Sequence, residues 1–274
     1  GTCLEDKALT DVSFCIPSKT CGVFIGTTGS GKSTVLQHCN ALLFPKPGRV
    51  VTLGVDTTDP KSDLRALRQH AGLALQRPET QLFERYVGDD VAYGPKQAGI
   101  AGVELTRRVR KAMETVGLPF AEFKDRPIHT LSGGERRKAA LAGVFALQPE
   151  ILLLDEPTAG LDPAARESIL DLIDAKLGEG ITMLIATHDM EATADLADTV
   201  HLLAGGRLID QGMPESVFYG RTIETAGLSR PLAAAVWSGI QCDRHSEWNR
   251  VTGPVSVDRL IDLLTPAFCR RDRS

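Results

Sequence analysis

The sequence predicts an α/β domain built on a mainly parallel sheet. Three observations predict it. Apolar runs of strand length alternate with helical patterns along most of the 274 residues, the way βα units read in a chain. The strand-like runs are continuous rather than alternating, as in Ile151–Leu154, so both faces of those strands are buried. A mostly helical block over residues 77–148 interrupts the alternation once and predicts a helical subdomain beside the sheet.

The elements follow in order. Val12–Ile16 reads as a strand and Pro17-Ser18 as a turn. Gly22–Ile25 is a buried strand, and residues 32–43 look helical. Arg49–Leu53 is a further strand, closed by Gly54. Asp59-Pro60 gives a helix-start signal before Leu64 and Leu67. Ala71–Leu75 resumes strand character. Within the helical block, Leu105, Val109, Ala112 and Val116 share one helix face that stops at Gly117. A second helix runs from Gly134 to about Gln148, followed by strand Ile151–Leu154. Asp162-Pro163 opens a helix whose Ile169, Leu172, Ile173 and Leu177 share a face. Ile181–Ala186 is the next strand, with a helix around 190–196. Val200–Leu203 and Arg207–Asp210, joined by Gly205-Gly206, read as a closing hairpin. Residues 1–219 therefore form the main domain, and residues 220–274, with weaker periodicity, a small C-terminal extension.

Composition narrows the function. Hydrophobic residues make up 42% and charged residues 24%, the balance of an ordinary globular chain. A formal net charge of −4 gives no basic excess that would point to nucleic acid. The basic runs Arg107–Lys111 and Arg136–Lys138 fall in helical patterns and read as solvated faces. No apolar stretch approaches the about 18–20 residues of a membrane span, and residues 1–15 carry charges where a signal peptide would be apolar. Any membrane role is expected through partner subunits. Six scattered cysteines, Cys3, Cys15, Cys21, Cys39, Cys242 and Cys269, lack metal-ligand spacing and read as incidental thiols of a reduced, cytosolic chain.

The chemistry starts at Gly26-Thr27-Thr28-Gly29-Ser30-Gly31-Lys32-Ser33-Thr34, which fits G-x-x-x-x-G-K-[ST] between an apolar strand and a helix. Glycines let successive backbone N–H groups turn toward phosphate oxygens, and the helix N-terminus adds its positive end. Lys32 is the group to neutralise β- and γ-phosphates, and the Ser33 hydroxyl the one to ligate Mg²⁺. This pattern marks a P-loop nucleotide-binding protein without separating kinase, GTPase, helicase or transporter engine. Ile151–Leu154 then ends in Asp155-Glu156, which brings two carboxylates to the edge where α/β sheets bind ligands. Asp155 suits Mg²⁺, and Glu156 suits a general base worth about 10²–10⁴-fold in rate. The blander reading is two solvated carboxylates at a strand end. His188 after strand 181–186, and Gln76 after strand 71–75, could reach the γ-phosphate, the metal or the attacking water. On their own they read more readily as structural residues.

Leu131-Ser132-Gly133-Gly134-Glu135 adds a second anion-binding turn ahead of a helix. One γ-phosphate does not need two cradles from one domain, so this one is expected to serve nucleotide held by another copy. The order of P-loop, Leu-Ser-Gly-Gly, Asp155-Glu156-Pro-Thr-Ala-Gly-Leu-Asp162 and His188 resembles the ABC ATPase family over about residues 8–218. The resemblance implies the P-loop NTPase fold of ABC ATPases, with an antiparallel β subdomain and a helical subdomain. It implies two chains that sandwich two ATP molecules, as homodimer or with a paralogue. It makes residues 159–162 the loop coupling the two sites, and Gln76 the residue that senses both Mg²⁺ and a transmembrane subunit.

Within that family the chain looks most similar to the energy-coupling factor importers of vitamins and cobalt. Pro78-Glu-Thr-Gln-Leu-Phe83, Tyr93-Gly-Pro95, Ala140-Leu-Ala-Gly143 and Asp155–Pro163 carry that resemblance. It implies a transmembrane coupling subunit gripped by residues around 77–83, a separate substrate-binding membrane subunit, and a place at the cytoplasmic face of the membrane. Arg77 and Glu135 depart from the common pattern, where an apolar or aromatic residue and Gln are usual. The family's adenine-stacking aromatic has no counterpart before Phe14, so a truncated N-terminal strand is expected. Rival readings are a generic importer or exporter cassette, a soluble ABC ATPase acting on nucleic acid, and a non-hydrolysing regulatory subunit. No coiled-coil insertion or second cassette supports the nucleic-acid rival, and Glu156 with His188 opposes the regulatory one.

Overall fold

A computed structural model describes residues 8–241 and 253–271, with side chains for 8–240 and 253–265. In chain order the elements are β1 (Cys21–Ile25), α1 (Lys32–Cys39), β2 (Val51–Thr52), β3 (Val55–Asp56), α2 (Leu64–His70), β4 (Ala71–Ala74), α3 (Val87–Gln97), α4 (Gly102–Thr115), α5 (Phe120–Phe123) and α6 (Gly133–Phe145). β5 (Ile151–Asp155), α7 (Pro163–Gly178), β6 (Thr182–Thr187), α8 (Met190–Leu196), β7 (Thr199–Ala204), β8 (Arg207–Gly212), α9 (Pro214–Phe218), α10 (Thr222–Thr225), α11 (Leu232–Gln241) and α12 (Val257–Arg271) follow. Two compact units divide the chain: Gly1–Ile16 with Cys21–Lys32 and Thr187–Ser274, and Pro17–Thr20 with Ser33–Ala186.

In the first unit β1 runs parallel to β7, and β7 pairs antiparallel with β8. The hairpin between β7 and β8 closes through Gly205 and Gly206 at φ +53° and +74°. A two-residue turn with both φ positive matches the right-handed twist of its strands, and glycine reaches it without strain. Residues 12–16, expected as a strand, keep the alternating half-buried pattern but pair with no neighbour in a ladder among the described residues. Their periodicity reflects one buried face: Phe14 meets Phe24 edge-on at 4.9 Å and His201 at 5.7 Å. Side-chain alternation reports which face is buried; it does not report a hydrogen-bonding partner. Beyond β8, Ala233, Trp237 and Leu260 form their own small core, with Tyr219 and Leu264 packed against it.

In the second unit β4, β5 and β6 are parallel, with Ala74 opposite Leu154 and Asp155 opposite Ala186. Leu152, Leu153 and Leu154 are fully buried, as a strand covered on both faces requires. The run 49–53 contributes only Val51–Thr52, which pairs antiparallel with Val55–Asp56. Leu53 and Gly54, at φ +52° and +76°, make the turn between them. Helix α1 stops at Cys39, short of the expected 43. Ala41 takes φ +57°, and the Leu42 and Leu43 amides both fold back onto the Gln37 carbonyl. The start of α2 also shifts. Asp63, not Asp59, caps it by accepting from the Arg65 and Ala66 amides, a contact worth about 1 kcal/mol. Asp59 spends its carboxylate on the Lys61 amide in the preceding turn. Helix α4 buries Val109 and Ala112 as the spacing predicts, and Gly117 at φ +73° ends it.

Candidate functional site

Residues Gly26–Lys32, the expected phosphate loop, belong to the first unit. Strand β1 delivers the chain into a turn where Gly26, Gly29 and Gly31 have φ of +155°, +81° and +104°. Two of these glycines are required by the protein's own packing. A Cβ on Gly26 would lie 2.3 Å from the Leu203 carbonyl oxygen, and one on Gly31 would lie 2.6 Å from Leu9 Cδ2. Gly29 would meet nothing within 4 Å, and Thr27, Thr28 and Gly29 are exposed. The loop thus has a packed underside and an open crest. Lys32 is buried, and its Nζ donates to the Gly26 and Thr27 carbonyls at 2.8 and 3.2 Å. The buried Ser30 hydroxyl has no hydrogen-bond partner among the described residues. Ser33 and Thr34 stand in the first turn of α1.

In the second unit three parallel strands bring their carboxyl ends to one edge. Asp155 ends β5, Glu156 follows it, and Gln76 lies two residues past β4. Asp155 and Glu156 are buried, and Gln76 is exposed. Glu156 takes φ +46° while its amide donates to the Ala186 carbonyl at 2.8 Å. A left-handed glutamate is strained, and such strain concentrates at functional positions. The chain then turns through Gly160 at φ +73° to Asp162, which caps α7 by accepting from the Ala165 amide at 2.9 Å. Asp162 therefore has a structural task alongside its expected place in the loop between sites. Gln76, Asp155 and Ser33 offer an amide oxygen, a carboxylate and a hydroxyl. That all-oxygen donor set suits Mg²⁺.

The turn Leu131–Glu135 opens α6. Ser132 Oγ accepts from the Glu135 amide at 3.2 Å, and the Glu135 carboxylate accepts from the Ser132 amide at 2.7 Å. This reciprocal capping box satisfies two amide groups of the helix start. The Ser132 amide holds the Glu135 pKa below the usual carboxylate range, with help from Arg126, whose Nη1 lies 3.0 Å from Oε1. Ser132 and Gly133 are exposed, and a Cβ on Gly133 would touch nothing within 4 Å. Gly134 is confined, its added Cβ 3.2 Å from that of Ala165. Glutamate at 135 preserves the local cap, so its departure from the commoner glutamine is accommodated by Arg126.

Arg137 was missed as a functional candidate, since the basic run 136–138 reads as a solvated face. It is 3% exposed. Its guanidinium donates to the Leu75 and Gln76 carbonyls at 2.9 and 2.5 Å. Burial lowers its pKa, while the charges of Glu79, Asp155 and Glu156 oppose that shift. The signal was available: Arg137 shares helical spacing with Ala140, Leu141 and Val144, all buried. His188, in the first unit, is exposed next to Thr187, the last residue of β6. Asp189 caps α8 through the Ala192 amide at 3.0 Å. Phe83 is 62% exposed and meets Tyr93 edge-on at 4.6 Å in the stretch expected to face a membrane partner. Of the cysteines, Cys21 and Cys39 are buried thiols whose pKa desolvation raises to about 12, and Cys15 is exposed. Cys3, Cys242 and the chain's first residues lie outside the described residues, and Cys269 has no described side chain.

Comparison with known proteins adds the family. The profile of ABC transporters matches residues 9–159. The energy-coupling factor transporter ATP-binding protein EcfA2 of Symbiobacterium thermophilum is 44% identical over 99% of this chain and 93% of its own length. Among solved structures, cbiO1 of Clostridium perfringens, described as part of the ABC transporter complex cbiONQ, aligns with a TM-score of 0.70. Its identity is 33%, over 86% of this chain and 89% of that one. The ATP-binding cassette MJ0796, a dimer bound to ADP and Pi in a post-hydrolysis state, aligns with a TM-score of 0.69 at 25% identity, over 75% of this chain and 90% of its own.

Proposed function

This chain belongs to the ABC transporter family, and from that premise we propose that it is the ATP-hydrolysing subunit of an energy-coupling factor importer. The observation that carries the reading is the pair of phosphate-type turns in one chain. One is the packed loop Gly26–Lys32, and the other is the open capping turn at Ser132. Two such turns suit a site assembled from two copies, each contributing one half.

The chemistry is metal-assisted hydrolysis of the γ-phosphoryl bond. The loop amides between Gly26 and Lys32 and the Lys32 ammonium hold and neutralise the phosphate chain. Mg²⁺, bound through Ser33, Asp155 and Gln76, would supply charge neutralisation at the β- and γ-oxygens. Glu156 accepts the proton of the attacking water as its oxygen forms the new bond to γ-phosphorus. The bond from γ-phosphorus to the bridging oxygen breaks, and ADP departs with that oxygen. His188 positions the γ-phosphate. The Ser132–Gly134 turn of a second copy closes the far side and excludes water.

Among the described residues no helix is long and apolar enough to cross a membrane. In this reading the power stroke passes to a transmembrane coupling subunit, gripped around residues 77–83, and a separate membrane subunit binds the vitamin or metal ion. The chain sits peripherally, at the cytoplasmic face. Affinity purification with its membrane partners, followed by mass spectrometry and phosphate release, tests this reading. We expect a transmembrane partner and a substrate-binding membrane protein to co-purify, and ATP turnover to require magnesium. A chain that recovers no membrane protein and splits no ATP in that preparation would refute the assignment.

A further inference from the structure

The segment after β4 is fastened to helix α6 by four side chains. Arg137 donates to the Leu75 and Gln76 carbonyls at 2.9 and 2.5 Å. Gln81 accepts from the Leu75 amide and donates to the Ala140 carbonyl, both at 3.1 Å. Arg136 and Glu79 form an outer ion pair at 3.7 Å. The first two contacts satisfy both polar groups of Leu75 with α6 side chains or with a glutamine that is itself bonded to α6. Helix α6 is the element that begins at the exposed Ser132 turn.

A guanidinium buried to 3% exposure is costly to desolvate, and here two main-chain carbonyls accept from it, with favourable charge from Glu79, Asp155 and Glu156. Its Nε is buried and has no hydrogen-bond partner among the described residues. The strong, fixed-fork donors of arginine are thus directed at one stretch of backbone. We propose that Arg137 is a positioning residue: it locks the Leu75–Gln76 main chain to α6. Gln76 is thereby set by the same rigid piece that presents the Ser132 turn. A shift of α6 on closure of that turn carries Gln76 with it, and a carboxamide displaced by about 1 Å is enough to cost a large factor in rate. This inference rests on the ATPase reading for its consequence but not for its structural content.

The test uses the whole chain with the partners it purifies with, in four forms: wild type, Arg137→Met, Arg137→Lys and Gln76→Ala, plus the double variant Arg137→Met/Gln76→Ala. Hydrogen exchange followed by mass spectrometry reads the clamp without any need for turnover. We expect amides of residues 74–80 to exchange about tenfold faster in Arg137→Met while residues 139–145 stay protected. Arg137→Lys restores part of that protection. In steady state, kcat falls about tenfold with KM for ATP within about twofold, and the double variant is no slower than Gln76→Ala alone. Should Arg137→Met fail to fold, Arg137→Lys and Gln81→Leu give the same local reading. Unchanged exchange at 74–80 overturns the clamp. A penalty that adds in full to that of Gln76→Ala overturns its action through Gln76. A wild-type chain without ATPase activity sinks the functional reading, yet the exchange result still decides the clamp.

Discussion

The two phosphate-type turns of this molecule are built to opposite plans. The loop at 26–32 is packed from beneath: Gly26 and Gly31 admit no side chain because Leu203 and Leu9 already fill the space. Its lysine is buried against its own carbonyls. The turn at 132–135 is closed only by its own cap, with Ser132 and Gly133 exposed and open space at Gly133. The first is a cradle finished by the fold that makes it. The second has its helix end satisfied and its outer face open, which suits the role proposed for it at nucleotide held by another copy. Glycine is required for sterics in the first turn and left free for approach in the second.

The largest effect expected falls on Glu156. Glu156→Gln keeps the size and hydrogen-bonding reach of the side chain but cannot take a proton from water. Hydrolysis should fall by about 10²–10⁴-fold, while nucleotide still binds the cradle. Size-exclusion chromatography with light scattering should then show an ATP-dependent dimer that wild type forms only transiently. Near-normal phosphate release from this variant would remove Glu156 as the base.

A matched pair of glycine substitutions separates the two turns. Gly31→Ala places a methyl against Leu9 at a φ of +104°, so thermal unfolding should register a loss of about 1–3 kcal/mol. Gly133→Ala meets open space in a helix first turn, so stability should hold or rise by a few tenths of a kcal/mol. Turnover should nevertheless drop about tenfold, and the Glu156→Gln dimer should dissociate when Gly133→Ala is added. If Gly133→Ala unfolds the protein, or leaves dimer and turnover intact, the contrast between a finished and an unfinished turn collapses.

Much of this was legible in the sequence because chemistry and sterics there act locally. The strand–loop–helix around Lys32 and the apolar run into Asp155 announce themselves by spacing alone. So does the turn Leu131–Glu135 ahead of a helix, although its reciprocal cap emerges only in the fold. What escaped depends on contacts distant in sequence. Arg137 belongs to a basic triplet whose one buried member is decided by carbonyls 61 and 62 residues away. The run 12–16 alternates correctly, yet a ladder needs a partner strand that periodicity cannot supply. Helix ends shifted where a competing turn claimed the capping group, as Asp59 does with Lys61. The open face at Gly133 is a matter of tertiary packing, which no local spacing reports.

A smaller effect distinguishes what lies behind the first turn. His201 stacks on Phe24 of β1 at 4.8 Å and is buried, with Gln211 on its Nδ1 at 3.2 Å. Desolvation lowers its pKa from the ordinary 6.5, partly opposed by Gln211. The unfolded chain therefore takes up a proton that the folded chain resists. Stability is fully present above about pH 6.5 and declines as pH falls below it toward the folded pKa. Urea unfolding across that range should show the decline in wild type and a flatter profile in His201→Gln. Equal slopes in both would clear His201 of the effect.

The smallest effect belongs to the second turn. Glu135 also has a lowered pKa, set first by the Ser132 amide, so its contribution is present above the ordinary 4.5 and lost only as pH falls below that. The two groups thus protonate in separate windows, His201 of β7 first and Glu135 later. Glu135→Gln retains an oxygen for the Ser132 amide and gives up the charge pairing with Arg126. That pair is partly exposed, with side chains 34% and 26% accessible, so its loss should cost less than about 1 kcal/mol. Turnover should stay within about twofold of wild type, because the cap rather than the charge shapes the turn. A fall of tenfold or more would mean that the carboxylate charge itself acts on the nucleotide. The open turn would then be an electrostatic element as well as a steric one.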